Sequence, residues 1–195
     1  MQSCRLVRPS LGLLPAYKAA LESGWSPSSL TPKKTAIEQL QAIEQNGGHF
    51  VQRLRVSSPH AEPKTGIDGR RTRRLPGYTR WLWAGQFCGS INLRWQPGTT
   101  ALPSHILGHI GFSVVPWLRN RGHAKRALAL ILLEARVLGL SFVELATDPD
   151  NLPSQRVILA NGGHLTERFL KSALYGGNEA LRFQISLQGA HERQR

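Results

Sequence analysis

The chain has 195 residues, 41% of them hydrophobic, and a formal net charge of +13 at pH 7. That length favours one domain with a proper core, and no apolar run reaches the ~18 residues of a membrane span. Leu11-Gly12-Leu13-Leu14, followed by Pro15, is too short for a signal-peptide core, so a soluble, cytoplasmic chain with no membrane partner is expected.

Two cysteines, Cys4 and Cys88, make neither a disulfide framework nor a metal cluster. The positive charge fits nucleic acid, phosphate-rich ligands or acidic partners, or simply a basic surface.

Arg5 to Val7 reads as a short first strand. Leu13 to Ser23 and Lys33 to Gln45 carry helical apolar spacing. The second places Ala36, Ile37, Leu40 and Ile43 on one face, starts at Thr31-Pro32 and stops at Asn46-Gly47-Gly48. Lys64 to Arg74 sets Lys64, Arg70, Arg71, Arg73 and Arg74 against Asp68 alone. It reads as a flexible solvated loop rather than a polyanion site, with no aromatic residues interleaved for base stacking.

Tyr78 to Ala84 and Phe87 to Trp95 read as strands joined at Gly85-Gln86. Trp81, Trp83 and Trp95 are assigned to sheet packing, and Cys88 to a small buried position. A loop, Gln96 to Ser104, leads to a strand over Leu107 to Val115. Within it Gly108 and Gly111 mark a bulge or a close approach by ligand.

Ala124 to Leu138 is the strongest helix, stopped by Gly139, and Phe142 to Ala146 is a buried strand. Asp148-Pro149-Asp150-Asn151 is a turn that caps a helix over Leu152 to Asn161, which Gly162-Gly163 ends. Leu165 to Leu170 and Ala180 to Leu187 are the last strands, around Gly176-Gly177, and 188–195 frays. The order predicts one α+β domain: helices and basic loop over 1–75, then a sheet-based core over 76–187.

Arg119-Asn120-Arg121-Gly122-His123-Ala124 lies between the strand ending at Val114-Val115-Pro116 and the strongest helix. A glycine-containing basic turn at a helix start is a recurring phosphate cradle, because free backbone N–H groups and the helix dipole both face the ligand. An ordinary strand-to-helix turn with scattered arginines is the other reading.

These residues resemble the GNAT superfamily of acyl-CoA-dependent N-acyltransferases. Its pyrophosphate signature (Arg or Gln, two residues, Gly, one residue, Gly or Ala) is matched by Arg119, Gly122 and Ala124, after Val114-Val115-Pro116. An Asn soon after the next strand is matched by Asn151, and a glycine-ended helix before a strand by Ile158 to Gly163. Gly108-His109-Ile110-Gly111-Phe112 and Ala160-Asn161-Gly162-Gly163-His164-Leu165 are similar to a poorly characterised bacterial branch. The resemblance covers roughly Trp81 to Leu187.

What it implies is a splayed, mixed, mostly antiparallel sheet flanked by helices, with acetyl-CoA between the fourth and fifth strands and no metal. The turn Arg119, Asn120, Arg121, Gly122, His123 and Ala124 would hold the pyrophosphate. The backbone of Phe112, Ser113 and Val114 would pair with the pantetheine arm, with an N–H near Val114 polarising the thioester carbonyl. Asn151 would bond the pantetheine as well as, or instead of, capping its helix, and Ser154 lies beside it.

The implied reaction is direct attack by an amine, which needs a base and a proton for the thiolate. His109 is the first candidate base and Glu144 the second. Many members carry a Tyr eight residues after the Asn; here that position is Leu159, so Ser154 and Tyr175 are substitute acids. His105 and His109 lack a third ligand for a metal.

The implied acceptor is a small-molecule amine or a protein amine, with a homodimer as an expected state. A non-catalytic acyl-CoA-binding module is the alternative, and a basic nucleic-acid-binding protein a more distant one.

Overall fold

The structure is a computed structural model that describes residues 3–56, 64–65, 71–72 and 75–188. In chain order the elements are β1 (Arg5–Val7), α1 (Leu14–Glu22), α2 (Pro32–Arg55), β2 (Lys64–Thr65), β3 (Arg71–Thr72), β4 (Gly77–Trp83), β5 (Phe87–Arg94), β6 (Ile110–Val114), α3 (His123–Val137), β7 (Phe142–Thr147), α4 (Leu152–Leu159), β8 (His164–Leu170) and β9 (Glu179–Ser186). The last residues, 189–195, and most of the basic stretch lie outside the described residues. The described part of that stretch, β2 and β3, pairs antiparallel rather than forming a plain loop.

Two sheets carry the fold, ordered β1-β4-β5-β6 and β7-β9-β8. Every registered strand pair is antiparallel. Strand alternation sends Trp81 to one face of the first sheet, where it stacks on Tyr17 of α1 at 4.9 Å and 18°. Trp25 and Phe87 complete this aromatic cluster. Arg80 takes the opposite face and pairs with Glu134 of α3 at 2.8 Å. Helices α1 and α2 therefore cover one face and α3 the other, with one continuous core between them.

The expected stop at Asn46 is a break, not an end. Asn46 leaves the helical region (φ −162°, ψ 92°), and the chain resumes helical geometry immediately to Arg55. The Asn46 Oδ1 accepts from the His49 N–H at 2.9 Å, which is an N-cap inside what continues as α2.

The sheets meet at His109, just before β6. Its N–H donates to the Glu144 carbonyl at 2.8 Å, while its carbonyl accepts from the Arg94 N–H at 2.9 Å. The Glu144 N–H then donates to the His109 ring Nδ1 at 2.9 Å. An amide N–H can only donate, so Nδ1 is unprotonated and Nε2 carries the hydrogen, donating to the Thr100 carbonyl at 2.9 Å. A side chain thus stands in for the backbone carbonyl at the point where β6 leaves β7. Gly108 permits the approach, since a Cβ there would lie 2.7 Å from the Glu144 carbonyl oxygen. The close approach marked by this glycine is therefore made by β7.

Replacing His109 by Ala leaves the Glu144 N–H and the Thr100 carbonyl without partners and opens a cavity. The expected loss is about 3 kcal/mol or more in chemical denaturation. Burial pushes the His109 ring below the ordinary histidine range. Its stabilisation is therefore full above about pH 6.5 and declines as pH falls toward the lowered folded value. In His109→Gln that acid-side decline should be smaller.

Candidate functional site

The turn leading into α3 is built by two left-handed residues, Asn120 (φ 60°) and Gly122 (φ 75°). Gly122 is the N-cap of α3, and no side chain caps it. Its carbonyl accepts from the Arg126 N–H at 3.0 Å, leaving the earlier N–H groups of the helix directed outward. Open space lies where a Gly122 Cβ would be. Arg119 and Arg121 are exposed on this turn, and Ala124 follows within the first helical turn. Burial and then Arg121 push His123 below the usual histidine range, so its ring is neutral near pH 7. The result is an anion-receptive concavity at a helix start.

The edge of β6 continues from this turn. In an antiparallel ladder alternate residues direct their backbone groups to alternate sides. His109 and Val115 bond β5 through the Arg94 N–H and the Cys88 carbonyl, so Gly111 and Ser113 between them also face β5. Phe112 and Val114 therefore turn their N–H and C=O toward the gap between β6 and β7. The expectation for Ser113 does not fit this alternation, because its backbone belongs to the β5 ladder. Its hydroxyl is also engaged, accepting from the Trp25 indole at 2.9 Å and donating to the Ser26 carbonyl at 2.9 Å. It ties the loop between α1 and α2 to the strand. The Arg119 Nε reaches back to the Val114 carbonyl at 3.4 Å.

The structure brings His109 and Glu144 together but corrects the first candidate base. His109 is fully buried and both ring nitrogens are committed to backbone groups. No lone pair is left for a substrate proton, so the residue joins the sheets. Glu144 alternates with the buried Val143 and Leu145, so it sits on the face away from the core side of β7, paired with Arg182 at 3.2 Å. Arg182 also reaches Glu167 at 2.7 Å.

Asn151 caps α4, its Oδ1 accepting from the Ser154 N–H at 3.2 Å. Leu159 is exposed, with no hydroxyl to offer. Tyr175 sits in a short helical turn between β8 and β9, where burial raises its phenol and Arg94 opposes the rise. The base of that loop is fastened by the buried Lys171, which pairs with Asp148 at 2.6 Å.

Two contributors escaped the sequence reading. Trp25 sits in a polar-looking Gly-Trp-Ser-Pro stretch, and Arg94 ends an alternating strand as a solvent-facing residue would. Among the described residues no helix is long and apolar enough to cross a membrane.

The chain matches a family model described as an acetyltransferase (GNAT) domain over residues 36–164. No curated protein matches it in sequence. Its fold is similar to that of the microcin self-immunity acetyltransferase MccE in complex with acetyl-CoA and AMP. That match has a TM-score of 0.64 and 12% identity, covering 94% of this chain and 92% of the other. RimL, a ribosomal-protein α-N-acetyltransferase in complex with coenzyme A, matches with a TM-score of 0.61 and 13% identity over 95% of each chain. A spermidine N-acetyltransferase chimera from Vibrio cholerae and hSSAT matches at 0.61 and 10% identity, covering 94% and 95%. With the family model spanning well over half its length, the chain belongs to the GNAT acetyltransferase family.

Proposed function

We propose that this acetyltransferase uses acetyl-CoA to acetylate a primary amine by direct attack on the thioester. One observation carries the reading. A glycine-led turn at a helix start precedes a gap whose edge, Phe112 and Val114, turns its backbone groups away from β5, with Arg119 reaching the Val114 carbonyl. An extended amide-bearing chain ending in pyrophosphate satisfies both at once. That MccE and RimL were found with acetyl-CoA and coenzyme A supports the donor.

With the phosphates beyond Val114, the thioester end points toward Phe112 and Ile110. A β6 edge N–H there stabilises the carbonyl oxygen as the C–N bond forms and the C–S bond breaks. Asn151 caps α4 through its carbonyl oxygen, so its side-chain amide N–H groups are the ones to meet a pantetheine carbonyl.

The attacking amine must shed a proton, and Glu144 is the candidate: it neighbours the join on β7, and its carboxylate, though paired with Arg182, keeps a lone pair to accept a proton. Its pairing with Arg182 orients it. The thiolate leaves without a dedicated acid. Thiols have pKa values near 8.5, Leu159 stands where a tyrosine is common, and Tyr175 and Ser154 are the hydroxyls available nearby. A soluble cytoplasmic enzyme, working as a homodimer, is consistent with this chemistry.

Saturating acetyl-CoA should raise Tm by about 5–10 °C, as ligand near a hundredfold its Kd stabilises by about 2.7 kcal/mol. An unchanged Tm would remove the donor assignment. Gly122→Asp should abolish that shift while Gly122→Asn, equally tolerant of a left-handed backbone, retains part of it; equal behaviour of the two would separate the loss from the added charge.

Glu144→Gln should lower kcat about 10²–10⁴-fold with little change in the KM for acetyl-CoA, measured by thiol release. Retention of wild-type kcat in this variant would exclude Glu144 as the base.

A further inference from the structure

The end of β5 carries a cation that no carboxylate neutralises among the described residues. Arg94 shares a sheet face with Asn92, Ser90 and Trp81, the side covered further along by α1 and α2. Its Nη2 donates to the Asn92 Oδ1 at 2.7 Å. Asn92 lies opposite Gly111, where a Cβ would press to 3.2 Å on the Asn92 Nδ2. A side chain at position 111 would make the Asn92 amide shift by a few tenths of an ångström from its place against the guanidinium.

Three other strand arginines have carboxylates, Arg80 with Glu134, Arg168 with Glu179 and Arg182 with Glu144 and Glu167, as does Lys171 after β8 with Asp148. Arg94 has none among the described residues. Its charge is felt by Tyr175 and His109, both neutral near pH 7. Burial pushes the guanidinium below its ordinary value, so the charge is held at a penalty that a counter-ion would relieve.

Position makes this more than an unpaired charge. Asn92 faces Gly111, the neighbour of Phe112, and Phe112 lies on the edge where the reactive end of the donor is placed above. On the other flank of His109 stands Glu144, whose field also reaches the His109 ring. A cation and an anion therefore flank His109, with Tyr175 close enough to feel the cation's field.

We infer that Arg94, held by Asn92, receives a carboxylate on the acceptor, so that the preferred acceptors are small amines bearing a carboxylate. This rests on the proposed acetyl transfer. The ammonium end approaches Glu144 and the thioester; the carboxylate takes the fork of the Arg94 guanidinium, a geometry that suits planar bidentate pairing. The net charge of +13 draws such acceptors in, whereas a basic protein tail would be repelled during encounter.

The test is a panel of matched pairs: glycine with methylamine, β-alanine with ethylamine, and γ-aminobutyrate with propylamine, each with acetyl-CoA. For at least one pair the kcat/KM of the carboxylate-bearing amine should exceed that of its partner by about 10- to 100-fold, the range of a charged hydrogen-bonded contact. In Arg94→Gln the ratio should fall close to one, with the KM for acetyl-CoA unchanged, and Arg94→Lys should keep an intermediate ratio.

A ratio near one in the wild type, or an undiminished ratio in Arg94→Gln, overturns the inference. Should no amine turn over, thermal shifts with coenzyme A present decide it. A carboxylate-bearing amine must then raise Tm in the wild type and not in Arg94→Gln, and absence of that difference overturns it equally. Failure to bind acetyl-CoA is a separate result and strikes the proposed function first.

Discussion

The exchange of hydrogen bonds between His109 and Glu144 governs where the sheet is closed and where it is open. At that level β6 and β7 are locked by a backbone bond and a ring nitrogen. One step further the strands belong to different sheets. The gap between them exists because the join is made once, by a side chain, and is not propagated as a ladder. Each additional rung would have consumed the N–H and C=O groups of Phe112 and Val114. An imidazole suits this position: it offers one acceptor and one donor at fixed geometry, so it satisfies β7 and the Thr100 loop together. Burial keeps it neutral, which is what the arrangement requires.

Around this join the charged groups are sorted by what they must do. On the α3 side Arg80 and Glu134 form a half-buried pair that holds helix to sheet. On the other side Glu144 and Arg94 flank the join, one supported by Arg182 and the other, among the described residues, by Asn92. The first arrangement is self-contained. The second leaves unequal charges facing the same space, which is characteristic of a surface that recognises something other than itself.

Much of the fold was legible because it is local. The apolar spacing of α3, the glycine after it, and the alternation around Trp81 are set by neighbours within a turn or two. The turn before α3 was readable as a turn for the same reason: Gly122 takes a left-handed conformation that only a few residue types adopt easily, as does Asn120 beside it. The break at Asn46 was half-readable, since the cap residue was visible but its resumption of the helix was not. His109, Ser113 and Arg94 were misread or missed because their roles are set by partners far along the chain. The Glu144 N–H is 35 residues from the ring it meets, and Trp25 is 88 residues from Ser113. A strand histidine, serine or arginine gives the same local pattern whether it faces water or closes a network.

The ion pair between Lys171 and Asp148 has a further consequence. Asp148 begins the turn that ends in Asn151, and Lys171 begins the loop that carries Tyr175. With the lysine buried and the bond at 2.6 Å, the two segments form one clamp. A ligand settling against Asn151 would press on the same piece of structure that carries Tyr175. The pair therefore ties the cap of α4 to the loop between β8 and β9, so that a load on one is shared by the other.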